Sequence, residues 1–157
     1  NVMGRVFMGE YDDPFRGIDA VLTACPLGTV ADAAIIDIHA EASSEKQAFG
    51  FHVDGRVSLV VGTHTHVPTA DTRILPAGTA YQTDAGMCGD FNSVIGMDAA
   101  EPLHRFLHKI PQARFEPATG PATLCGVLVE TDDATGLARS IKPLRVGAGL
   151  VELTSEA

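Results

Sequence analysis

Three histidines carry the most chemical weight in this sequence: His39, His64 and His66. His64 and His66 stand one residue apart in Gly62-Thr63-His64-Thr65-His66, directly after the apolar run Val57-Ser58-Leu59-Val60-Val61. In extended chain, residues i and i+2 face the same side, so both imidazoles can address one point. His39 closes a second apolar run, Ala31–Ile38. If the two runs are parallel neighbours, three neutral imidazoles gather at one sheet edge, a donor set that suits Zn, Fe, Mn or Ni. An isolated His-x-His is also what two polar surface residues look like. The placement of His39 at the end of a second strand favours ligation. Asp37, Glu41, Asp71 and Asp84 flank the same loops. Asp37, two residues before His39, faces its side. Glu41 is explained by favourable charge at a helix start, and Asp84 by a supporting or turn role. His52, His104 and His108 fall on predicted helices and read as surface or packing residues.

Other chemistries lack their signatures. Glycines 78, 86 and 89 match neither a P-loop nor a dinucleotide fingerprint. Without Gly-x-Ser-x-Gly there is no serine-hydrolase elbow. Cys25, Cys88 and Cys125 are odd in number and widely spaced, which argues against a disulfide framework or a thiolate zinc site and suits a reducing cytoplasm. The formal net charge of −9, from 20 acids against 11 bases, opposes a nucleic-acid coating role. No apolar run of about 20 residues is present, so no membrane span is expected.

The elements that must position the histidines follow from patterning. With 157 residues, 45% of them hydrophobic, the chain can bury one core. Val2–Met8 reads as a strand, residues 9–17 as a polar loop with a turn at Asp12-Asp13-Pro14, and Ile18–Leu27 as a short helix or irregular segment. Ala31–Ile38 and Val57–Thr63 are strands, joined by a helix over Ser43–Asp54 that Ser44 and Gln47 would cap. Gly62 lets the backbone turn where the second strand ends. That strand–helix–strand unit implies parallel pairing. Arg73–Leu75 and Thr79–Thr83 form a hairpin about Pro76-Ala77-Gly78. A glycine-rich loop covers 84–93. Asp98–Ile110 is a helix, with Asp98 and Glu101 at its cap. Ala122–Glu130 pairs with Ala138–Arg145, and the segment after Gly147 frays. The fold class is mixed α/β, or α+β, with later hairpins beside the parallel unit.

Longer stretches resemble a known family. Asp37-Ile-His39-Ala-Glu41-Ala-Ser-Ser-Glu45-Lys46, then Asp54-Gly-Arg56 running on through Gly62-Thr-His64-Thr-His66-Val-Pro-Thr-Ala-Asp71, then Ile74 to Met87, resemble the YmdB-like family of calcineurin-like metallophosphoesterases. Ser93-Val-Ile-Gly96, Gly120-Pro121 and Leu124-Cys-Gly-Val127 are similar as well. The resemblance implies part of a two-sheet β-sandwich flanked by helices. It also implies a metal-dependent phosphodiesterase that uses a metal-activated water, with 2′,3′-cyclic nucleotides among its substrates. Two divalent ions (Fe, Mn or Zn) would be held in the complete enzyme, His39 and His64 on one and His66 on the other.

The family's early motifs, which supply an aspartate, a bridging carboxylate, an asparagine and the general-acid histidine, have no counterpart here. The chain opens at Asn1 inside a strand-like segment, as expected of the later part of a longer protein. The expected division is a metallophosphoesterase-like domain over 1–147, incomplete at its start, with a tail over 148–157. The alternative is a catalytically incomplete metal-binding fragment or regulatory module. A mononuclear hydrolase of the amidohydrolase type also uses His-x-His after a strand. An exposed sheet edge would invite a homo-oligomer.

Overall fold

In the computed structural model, residues 1–154 are described. Five strands form one sheet in the order β1 (Val2–Met3), β2 (Ile35–His39), β3 (Leu59–Thr63), β5 (Ala80–Gln82), β4 (Arg73–Ile74), and two more form a separate hairpin. Strands β1, β2, β3 and β5 run parallel, and β4 closes the edge antiparallel to β5. The predicted strand–helix–strand unit is present as β2, helix α2 (Ser43–His52) and β3. Alternate residues of these strands fill the core: Ile36 and Ile38 from β2 and Val60 from β3. Phe49 and Val53 cover them from the α2 side, and Ile18 and Leu22 do so from helix α1 (Pro14–Ala24).

Several boundaries differ from the sequence expectation, each for a local reason. The first strand stops at Met3 because the Arg5 and Val6 amides donate to the buried Glu45 carboxylate instead of to a neighbouring strand. Helix α1 begins at Pro14, inside the predicted loop. Asp13 accepts hydrogen bonds from the Phe15 and Arg16 amides, and Pro14 sits at the first helical position, where its missing N–H costs nothing. Asp13-Pro14 is therefore a helix start and not a turn. Helix α2 starts one residue before the expected cap, so Ser44 lies within its first turn and the capping box does not form. In α3 (Ala100–His108), Asp98 accepts the Ala100 amide, whereas Glu101 turns away to Arg105 and to the Gln112 and Ala113 amides.

The hairpin joins β6 (Thr123–Thr131) to β7 (Ala138–Gly147). It is tied to the main sheet by the Ala138 amide donating to the Gly78 carbonyl at 2.9 Å and the Ser58 hydroxyl donating to the Gly136 carbonyl at 2.6 Å. The segment expected to fray returns to β7, where Leu153 and Arg145 exchange amide–carbonyl bonds of 2.8 and 3.0 Å. The remainder of that predicted tail, residues 155–157, lies outside the described residues. Among the described residues, no helix is long and apolar enough to cross a membrane.

Candidate metal centre

Parallel pairing of β2 with β3 places His39 opposite Thr63, so His39 and His64 reach the carboxyl edge of the sheet together. Open α/β sheets place their ligand crevices at this edge. His39 Nε2 and His64 Nδ1 are 3.1 Å apart, with the rings edge to face. The second nitrogen of each ring is committed elsewhere. Thr63 Oγ1 donates to Asp37 Oδ1 at 2.7 Å, so it accepts from His39 Nδ1 at 3.1 Å. His64 Nε2 lies 2.9 Å from Glu41 Oε2, an acceptor. These bonds assign the proton of neutral His39 to Nδ1 and that of neutral His64 to Nε2. Two lone pairs then face one another across 3.1 Å. A cation bound by both would relieve that contact, and a carboxylate behind each imidazole is the usual support of metal-ligating histidines.

His66 is held differently. Its Nδ1 donates to the Ile95 carbonyl at 2.8 Å, which leaves Nε2 as the free donor atom. His66 bonds to Ile95 and not to His39 or His64. Among the described residues, no group of three or more His, Cys, Asp or Glu side chains surrounds a single point. The residues present thus fit one cation between His39 and His64, with His66 a few bonds along the same loop.

The loop carrying His64 and His66 is strained and braced. His64 has φ 111° and His66 φ 67°. Left-handed backbone at non-glycine residues costs about 1–3 kcal/mol each and persists only where the surroundings enforce it. Here the enforcement comes from Asp84. Its Oδ2 accepts from the Thr65 amide at 3.0 Å and from Lys46 Nζ at 2.9 Å, while Oδ1 accepts from the Gly86 amide. Lys46 and Asp84 are both fully buried. Burial opposes the Asp84 charge, but the Thr65 and Gly86 amides and the Lys46 ammonium outweigh it and hold the carboxyl below its ordinary value. Gly62 is not the turn residue the sequence suggested. It lies within β3, where an added Cβ would sit 1.7 Å from the Thr83 carbonyl oxygen, so the glycine is needed for close approach.

Of the flanking acids, Asp37 and Glu41 join the histidine pair and Asp84 braces the loop. Asp71 does not take part; it accepts from the Thr83 amide and hydroxyl and from Thr69 and Arg73 in the following hairpin. His52 bonds to Asp19 and packs on Phe15, and His104 stacks on His108, as expected of surface or packing residues. Sequence reasoning missed Thr63, Lys46 and Ile95. The threonines beside His64 and His66 were the visible signal for Thr63. A lysine three residues into an otherwise ordinary helix gave none for Lys46.

Known proteins are similar to this chain over part of their length. The chain is 47% identical over 146 residues to a 2′,3′-cyclic-nucleotide 2′-phosphodiesterase of Bacillus subtilis, covering 93% of this chain and 54% of that protein. A crystal structure of a hypothetical protein from Thermus thermophilus superposes with a TM-score of 0.85 at 43% identity, covering 94% of this chain and 56% of the other. A crystal structure of a phosphatase from Mycoplasma pneumoniae gives 0.81 at 37% identity, covering 94% and 52%. The chain spans about half the length of each of these relatives. Residues 1–144 match the family described as YmdB-like protein, and on that match the chain belongs to the YmdB-like family.

Proposed function

We propose that this chain provides the histidine side of a metal-dependent phosphodiesterase site that acts on small phosphodiesters, with 2′,3′-cyclic nucleotides as the substrate class. The observation that carries this reading is the 3.1 Å approach of His39 Nε2 to His64 Nδ1, with the other nitrogen of each ring held by Thr63 or Glu41. The activity named for the Bacillus subtilis relative supports the substrate class. A divalent ion (Fe, Mn or Zn), when bound, would supply Lewis acidity and lower the pKa of water. His39 and His64 would hold it. Glu41 and the Thr63–Asp37 relay keep each imidazole in the tautomer that presents a lone pair. His66, fixed at Nδ1 by the Ile95 carbonyl, would have Nε2 available for a second ion. Asp84 sets the backbone from which both loop histidines project.

The alternative reading is a metal-binding module without turnover, and it draws on the absence of a three-ligand cluster among the described residues. One paired measurement separates the two. In a protein extended to the full length of the relatives, Mn²⁺ binding is followed by calorimetry, and 2′,3′-cyclic AMP hydrolysis is followed in the same samples. Stoichiometric binding and hydrolysis, both abolished in His64→Ala, support the phosphodiesterase. Binding without hydrolysis selects the module. Binding that survives His64→Ala refutes the metal site itself.

A further inference from the structure

The turn that holds His66 has a second face. Val94 and Met97 exchange amide–carbonyl bonds of 2.9 and 3.0 Å, which closes a two-residue turn at Ile95 and Gly96. Ile95 has φ 49° and Gly96 φ 98°. Turns of this shape favour Asn, Asp or Gly at both positions, and a β-branched residue there is a true outlier. The strained isoleucine does two things at once. Its carbonyl accepts from His66, and its side chain lines an apolar groove of about 740 Å³.

The other walls of the groove include Val94, Met97, Phe106 and Phe115, with Arg105 among them. Arg105 is not a free cation. Its Nε donates to Glu101 at 2.6 Å, an Nη donates to the Ala113 carbonyl, and its guanidinium plane lies over the Phe115 ring at 4.0 Å. The groove therefore presents flat, mostly apolar surfaces at a volume typical of small-molecule sites. It shares one residue, Ile95, with the anchorage of His66.

We infer that this groove is the nucleobase subsite of the phosphodiesterase, with the base lying against Phe106 and the Arg105–Phe115 stack and Ile95 setting its distance from His66. The inference rests on the phosphodiesterase reading for the rest of the substrate. The groove's own chemistry selects a planar, weakly polar ring over the sugar or phosphate, because its single charged side chain is already paired. Stacking on an aromatic face tolerates any base, so discrimination among bases is expected to be slight.

The test uses a ligand without phosphate, so that it stands apart from metal binding and hydrolysis. The chain has four methionines, Met3, Met8, Met87 and Met97, and their ¹³C-labelled methyl groups give separate probes. Met97 is assigned by Met97→Leu. Adenosine is expected to shift the Met97 methyl signal saturably, while ribose at the same concentration leaves it in place. Phe106→Ala is expected to weaken adenosine binding about tenfold, the loss of one aromatic stacking contact. Phe106 is 79% exposed, so its removal leaves the core intact. A Met97 signal indifferent to adenosine overturns the inference, as does an adenosine affinity unchanged by Phe106→Ala. Light scattering run beside it covers the rival occupant, since a dimer dispersed by Phe106→Ala without adenosine binding would make the groove a contact between copies. Adenosine binding in a protein that fails to bind Mn²⁺ would keep the base site and remove the phosphodiesterase reading.

Discussion

The two sides of the candidate metal centre are built in contrasting ways. His39 and His64 are placed by the register of adjacent parallel strands and oriented by carboxylates close to His39 in sequence, Asp37 and Glu41. His66 is placed by a strained loop whose supports come from later in the chain: Asp84, 19 residues beyond the Thr65 amide it accepts, and Ile95, 29 residues beyond the ring it holds. One side is a product of regular secondary structure and the other of side-chain bracing against it. The contrast teaches that a single short motif can contain candidate ligands of very different mechanical origin.

The most damaging change should fall on the braced side. Asp84→Ala strands the buried Lys46 ammonium and frees the Thr65 and Gly86 amides, so urea denaturation should show a loss of about 3–5 kcal/mol. A loss below about 1 kcal/mol would mean that the loop does not depend on the pair, and the contrast would collapse.

A smaller effect is expected on the register side, and of another kind. Thr63→Val keeps shape but removes the hydroxyl between His39 and Asp37. Calorimetric Mn²⁺ affinity should fall about 10- to 100-fold, as for other supports of metal-bound histidines, while stability stays nearly unchanged. Loss of stability with unaltered affinity would reverse the assignment of the two sides.

The smallest effect lies away from both, in the turn of the β6–β7 hairpin. Arg139, then the Thr135 and Ala134 amides, lower the Asp132 carboxyl from 3.8 to about 2. A carboxylate lowered on folding contributes support above its ordinary value and loses it as pH falls toward the folded one. The Ala134 and Thr135 amide signals should therefore titrate with a midpoint near pH 2 and stay flat in Asp132→Asn.

The register side was legible in the sequence and the braced side was only partly so. Two apolar runs, each ending at a histidine, with a helix between them, are enough to predict parallel strands and a shared edge. Asp37 could be flagged because it stands two residues before His39, whereas Glu41, read as a charge at the start of α2, instead pairs with His64. Ile95 could not, since nothing in Ser93-Val94-Ile95-Gly96 announces a carbonyl aimed at a ring 29 residues earlier. Lys46 was hidden for a related reason, because a lysine on a helix is ordinarily read as solvent-facing, and its buried partner lies 38 residues away. The misread boundaries have the same origin. Glu45 ends β1 from a distant helix, and Gly62 is glycine because of Thr83, which follows a strand not adjacent in sequence.

The isoleucine at the tip of the Val94–Met97 turn also bears on how such a sequence can drift. Any substitution there by Asn or Gly relaxes the backbone, so selection for heat resistance alone would discard Ile95 early. If the proposed base site is real, the demands of persistence and of ligand handling pull in opposite directions at this position.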